Sequence, residues 1–140
     1  MTKEIKTSIR IQAPASKVWE VLTDFEAYQA WNPFIQSLTG EVKVNSRIKV
    51  DLPGMTFRPK VLAFEPNKEL RWIGNLLFKG IFDGEHRFLL TENADGSTTF
   101  EHAEKFTGIL VGPFSKKLDR DTKPGFESMN ESLKARAEQA

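Results

Sequence analysis

The stretch Gly84–Phe106, GEHRFLLTENADGSTTFEHAEKF, carries both histidines of the chain, His86 and His102. Its two halves alternate as strands with one buried face do. The first sets Phe82, Gly84, His86, Phe88 and Leu90 against Asp83, Glu85, Arg87 and Leu89; the second sets Phe100, His102, Glu104 and Phe106 against Glu101, Ala103, Lys105 and Thr107. A two-residue Asp95-Gly96 turn would throw the histidines onto opposite faces. The aromatic sets have to share a face, because a slip of one residue exposes one of them. A three-residue loop, Ala94-Asp95-Gly96 with Gly96 left-handed, meets that demand. It predicts Leu90 opposite Phe100, Phe88 opposite His102 and His86 opposite Glu104, with Glu85 and Lys105 as a charge pair on the outer face. Both histidines and Glu104 then point inward.

Working outward, EIKTSIRIQA brings Ile5, Thr7, Ile9 and Ile11 to one side and reads as a first strand. Pro14 suits the first turn of a helix, ASKVWEVLTDF follows with Val18, Val21, Leu22 and Phe25 on one side, and DFEAYQAW reads as a second short helix ending before Asn32-Pro33. Alternation returns from Ser37 to Thr107, giving seven strands in all, mostly antiparallel. In the last stretch Leu118, Thr122, Phe126, Met129 and Leu133 recur every three or four residues, the stripe of a long helix. Pro124-Gly125 inside it predicts a kink or short break near Lys123. No linker, repeat or low-complexity tract interrupts the pattern, so residues 1–140 are expected to form a single α+β domain.

Composition narrows the chemistry. Twenty basic residues against nineteen acidic ones, scattered along the chain, point to neither nucleic acid nor an anionic membrane as partner. The absence of cysteine excludes disulfides, thiolate nucleophiles and cysteine-ligated metals. No signal peptide and no membrane-spanning stretch is visible, so a cytoplasmic protein without membrane insertion is expected. Eleven Phe and three Trp against one Tyr are a heavy apolar aromatic load, suited to a core or a hydrophobic pocket.

The order of strand, two short helices, curved antiparallel sheet and long terminal helix, with the segments IQAPASKVWEVLTDFEAYQAWNPFI, GEHRFLL, TTFEHAEKFTGIL and GFESMNESLKARAE, resembles the SRPBCC superfamily. Within that START and birch-pollen-allergen-like group it looks like the bacterial polyketide cyclase/dehydrase and lipid-transport branch. The resemblance implies a helix-grip fold, a seven-stranded sheet wrapped around the C-terminal helix, with an apolar cavity between them. It also implies a lipid-, polyketide- or aromatic-like ligand there, held by a carrier or sensor. A cyclase or dehydratase, and an interaction module of the chaperone-activator type, are the alternatives within the same superfamily. The paired cysteine and histidine iron ligands of its oxygenase subunits are absent.

His86 and Glu104 are the candidate acid–base pair, since a carboxylate opposite an imidazole can fix its tautomer and raise its basicity. His102 could donate to a developing enolate oxygen. The same three groups could equally satisfy one another, or water, without chemistry. They have ligand types that suit zinc, but no zinc spacing accompanies them, so neither metal nor cofactor is expected. Trp31, Phe34, Trp72, Phe88, Phe106, Phe126 and Met129 are core or pocket lining, and the resemblance favours lining for those at the sheet–helix seam. GNLLFKG, residues 74–80, lacks the ending of a phosphate loop and is expected to form a mobile lip at the cavity mouth. The oligomeric state, a homodimer included, is not written in the sequence.

Overall fold

A computed structural model describes residues 2–76 and 82–139. Strand β1 (Thr2–Ile11) buries Ile5, Thr7 and Ile11. Pro14 stands just before helix α1 (Ala15–Thr23), where its carbonyl accepts from the Lys17 and Val18 amides. The first free amide of α1, at Ala15, is taken by Glu92 Oε1 at 2.8 Å, which satisfies one of the donors that every helix start leaves unpaired. The second helix expected from DFEAYQAW is a 3₁₀ turn, Phe25–Ala27, followed by a single α-turn, α2 (Tyr28–Trp31). It stops at Asn32, whose Oδ1 accepts the Phe34 and Ile35 amides at 2.9 and 2.8 Å.

The described residues form eight strands where the alternation predicts seven. After β2 (Ser37–Thr39) the chain turns at Gly40, φ +106°, so this strand is shorter than its alternation predicts. Strands β3 (Lys49–Leu52) and β4 (Met55–Phe57) make a hairpin around Gly54, φ +77°. The alternating stretch TFRPKVLAFE, residues 56–65, is divided at Pro59, which has no amide for a ladder, and resumes as β5 (Lys60–Glu65). With β6 (Glu69–Leu76), β7 (Phe82–Glu92) and β8 (Thr98–Thr107), the strands form a five-stranded antiparallel sheet, β1-β8-β7-β6-β5, and a three-stranded one, β2-β3-β4. The two are stitched by backbone hydrogen bonds from Ile48 N to Pro59 O, 3.0 Å, and from Val61 N to Ser46 O, 2.9 Å. One curved surface results, as the helix-grip reading requires.

The β7–β8 hairpin has the predicted register: Leu90 faces Phe100, Phe88 faces His102, His86 faces Glu104 and Glu85 faces Lys105. Gly96 lies at φ +86°. Helix α3 (Val111–Ala137) lies across β1 and β8 and continues unbroken through Pro124, against the expected interruption. Pro124 and Arg120, the residue whose carbonyl loses its amide partner, are both on the exposed side, so water replaces the missing bond. Burial along α3 is uneven. Val111 is its one buried residue before Phe126, whereas Phe126, Met129, Asn130, Leu133 and Ala137 are all buried. Among the described residues no helix is long and apolar enough to cross a membrane.

Candidate functional site

The inner face of the central strands carries one continuous polar chain set among aromatic rings. His86 and His102 are 2% and 0% exposed, and their Nε2 atoms face each other at 2.7 Å. On one side His86 Nδ1 lies 3.3 Å from Glu104 Oε1. On the other, His102 Nδ1 lies 3.0 Å from Asn130 Oδ1 of α3. Asn130 Nδ2 donates to Thr7 Oγ1 at 2.8 Å, and the Thr7 hydroxyl donates to the His102 carbonyl at 2.9 Å. The chain thus joins β7, β8, β1 and α3. Burial, then the neighbouring His86, hold His102 well below the ordinary histidine value, against hydrogen bonds to Asn130 and the Phe126 carbonyl that favour its charged form. His102 is a neutral imidazole at neutral pH.

Rings enclose this chain. Phe126 stacks on His102 at 4.0 Å between centroids and Trp72 on His86 at 5.2 Å, while Phe88 touches both histidines at 4.7 Å. Phe34 closes the remaining side, 5.3 Å from Phe126 and 6.2 Å from His86. Phe106 belongs to a smaller apolar cluster with Ile5, Phe82, Val111 and Phe126, directly beyond Glu104. Trp31 and Met129 are not brought to the histidines: Trp31 packs edge-on against Tyr28 at 5.3 Å, and Met129 is fully buried in the larger core.

Two glycines make the arrangement possible. A Cβ on Gly84 would fall on Glu104 Oε2, so the bare backbone there lets the carboxylate bend across the strand toward His86. A Cβ on Gly125 would stand 2.7 Å from Phe34 Cδ1, so the helix backbone admits the Phe34 ring only because position 125 has no side chain. Sequence reasoning missed both roles, and missed Thr7 and Asn130 as members of the site. The signals were present as glycines at inward-facing positions and an asparagine one turn after Phe126.

The seam between β8 and α3 is filled at Phe88, His102 and Phe126, all without exposed surface. Phe88, Phe126 and Met129, expected to be core or pocket lining, carry no exposed surface in this structure. Two open clefts among the described residues lie away from this seam. One of about 250 Å³ between β1 and α3 has Thr7 and Asn130 in its wall. Another of about 730 Å³ is bounded by Asn32, Ser37, Asp51 and Thr56. Residues 77–80 of the expected lip lie outside the described residues. No group of three His, Asp or Glu among the described residues is arranged to hold a metal ion.

Residues 2–138 match the family described as "Polyketide cyclase / dehydrase and lipid transport". The chain belongs to this family. Its fold places the polyketide cyclase/dehydrase and lipid-transport chain beside solved structures of low identity. A START superfamily protein from Mycobacterium smegmatis is 24% identical, with 97% of each chain covered and a TM-score of 0.72. The Zhui aromatase/cyclase from Streptomyces sp. R1128 is 16% identical, covering 99% of this chain and 94% of that one, with a TM-score of 0.75. A hypothetical protein of Helicobacter pylori reaches a TM-score of 0.81 at 16% identity, covering 96% and 88%. Among curated proteins none matches the sequence. At such identities these structures speak for the fold, and function rests on the site itself.

Proposed function

We propose that this member of the family binds a small, largely apolar molecule of lipid-, polyketide- or aromatic-like character on the inner face of its sheet, as a carrier or sensor. The observation that carries the reading is where the buried polar chain ends. Every nitrogen of His86 and His102 is engaged within the chain, and the one end left open is Glu104, whose side chain is 15% exposed at the border of the Ile5, Phe82, Phe106, Val111 and Phe126 cluster. A carboxylate with one oxygen held and the other without a partner among the described residues, at the edge of apolar rings, suits a ligand with an apolar body and a single polar group. A second indication is the indole Nε1 of Trp72, buried with no hydrogen-bond partner among the described residues while its ring stacks on His86. An unpaired buried donor costs about 1–3 kcal/mol, which a ligand acceptor would relieve.

An enzymatic reading, as cyclase or dehydratase, draws on the same His86–Glu104 contact. In that reading Glu104 meets the substrate, because both His86 nitrogens are already occupied. His86 and His102 then stand behind it and hold it. Native mass spectrometry of protein purified from its host, followed by a solvent-sensitive apolar dye, tests the binding reading. A co-purifying molecule, or saturable one-to-one dye binding to the folded protein, supports it. The absence of both overturns it.

A further inference from the structure

The direction of each hydrogen bond in the buried chain follows from its far end. The Thr7 hydroxyl has one proton and gives it to the His102 carbonyl, so Thr7 Oγ1 can only accept from Asn130. That fixes the amide with its nitrogen toward Thr7 and its oxygen toward His102. Facing that oxygen, His102 Nδ1 has to carry a proton. A neutral His102 then presents a bare Nε2, and the 2.7 Å contact is made by a proton on His86 Nε2. His86 Nδ1 and Glu104 Oε1 remain, 3.3 Å apart. Both would be acceptors if His86 were a neutral imidazole and Glu104 a carboxylate, and two lone pairs do not hold each other in a buried contact. One further proton therefore belongs between them, on Nδ1 or on Oε1. Wherever it lies, Glu104 Oε2 is an acceptor only, and no side chain among the described residues donates to it. Lys3 of β1, opposite Phe106, is bonded to Asp119 of α3 at 3.0 Å.

We propose that Thr7, Asn130 and His102 are positioning residues that confine one exchangeable proton to the His86–Glu104 edge, and that the site therefore selects ligands whose polar group is a hydrogen-bond donor, a hydroxyl on an apolar body. The selection of ligand rests on the carrier reading above; the placement of the proton does not. An ether or ester of the same shape offers Glu104 Oε2 another acceptor and is disfavoured.

The test has a ligand-free arm and a probe arm. In the protein at neutral pH, nitrogen-15 spectra of its two histidines should show His102 protonated on Nδ1 alone and His86 protonated on Nε2. The additional proton should appear either in the His86 Nδ1 shift or in the carbon-13 shift of the Glu104 carboxyl. In Glu104→Gln the amide donates to His86 Nδ1, so that nitrogen should move to the range of a bare acceptor while His102 is unchanged. His102 protonated on Nε2, or His86 Nδ1 and Glu104 both bare in the wild type, would overturn the placement. For the probe arm, 2-naphthol should bind about 10-fold more tightly than 2-methoxynaphthalene, the scale of one hydrogen bond, and the preference should vanish in Glu104→Met. Equal binding of the two probes overturns the selection. Binding of neither counts against the carrier reading, and the spectra still decide the proton.

Discussion

The Nε2 atoms of His86 and His102 meet at 2.7 Å in a pocket of aromatic rings, so one imidazole donates and the other accepts. A second proton on that contact would set two donors against each other. The stability of the fold is tied to keeping His102 neutral.

That tie gives a pH dependence with a definite sign. The folded value of His102 lies well below its ordinary 6.5, so below about pH 6.5 the unfolded chain binds a proton that the folded one refuses. Stability should be full above that pH and fall progressively as pH drops from it toward the folded value. Urea midpoints at pH 7.5 and 5.5 measure it, and a His102→Gln variant that folds should show a visibly flatter profile. An unchanged midpoint between the two pH values in the wild type would contradict the buried neutral imidazole.

Gly84→Ala separates site geometry from stability. The added Cβ collides with Glu104 Oε2, the far end of a flexible side chain, so the carboxylate swings away and the strand is kept. The expected stability change is under about 1 kcal/mol, since a partly exposed contact is lost, while the probe preference of the site for a hydroxyl disappears. Chemical denaturation together with probe titration distinguishes this from a general disruption, in which both would fail together.

Gly125→Ala should go against the usual helix rule. Alanine inside a helix ordinarily gains about 1 kcal/mol over glycine. Here its methyl group stands 2.7 and 3.1 Å from two carbons of the Phe34 ring, which is wedged against His86, His102 and Phe126. Overpacking of this kind costs about 1–3 kcal/mol, so a net loss is expected. In a Phe34→Leu background the same substitution should become neutral or stabilising, and a double-mutant cycle measures the difference.

Thr7→Val keeps the shape of the side chain and removes its hydroxyl. Asn130 Nδ2 and the His102 carbonyl then lose their buried partner, for an expected cost of about 1–3 kcal/mol in thermal or chemical denaturation. A change of less than about 0.5 kcal/mol would mean that water replaces the hydroxyl from the cleft whose wall includes Thr7 and Asn130.

Alternation along Phe82–Leu90 and Phe100–Phe106 made the register of the central hairpin readable, because each aromatic set allows one face only. That in turn placed His86, His102 and Glu104 together without coordinates. Elsewhere local pattern misled. The alternation from Thr56 to Glu65 is a strand pattern, yet Pro59 divides it by removing one ladder donor. Pro124 looks like a helix breaker and is not, because exposure lets water take up the freed carbonyl. Thr7 and Asn130 were hidden for a different reason. Their roles depend on α3 crossing β1 at one height, a contact between residues 123 positions apart that no local period encodes. The filling of the seam at Phe88 and Phe126 is likewise a matter of ring volumes in three dimensions.

The uneven burial of α3 makes the helix a cantilever. Its second half is clamped by Phe126, Met129, Leu133 and Ala137 and stapled to the sheet by Asn130, while the first half holds on chiefly through Val111, a Phe114–Phe82 ring contact and the exposed Lys3–Asp119 pair. Opening free energies in a fold follow buried contact, so amide exchange should be slow from Phe126 onward and fast from Val111 to Lys123. A bend of α3 would then fall near the Asn130–His102 bond, with the free arm on the side of Phe82 and Phe106. In the proposed reading the polar chain would serve as fulcrum as well as recognition element, and a molecule would enter beside Glu104 while the core stays shut.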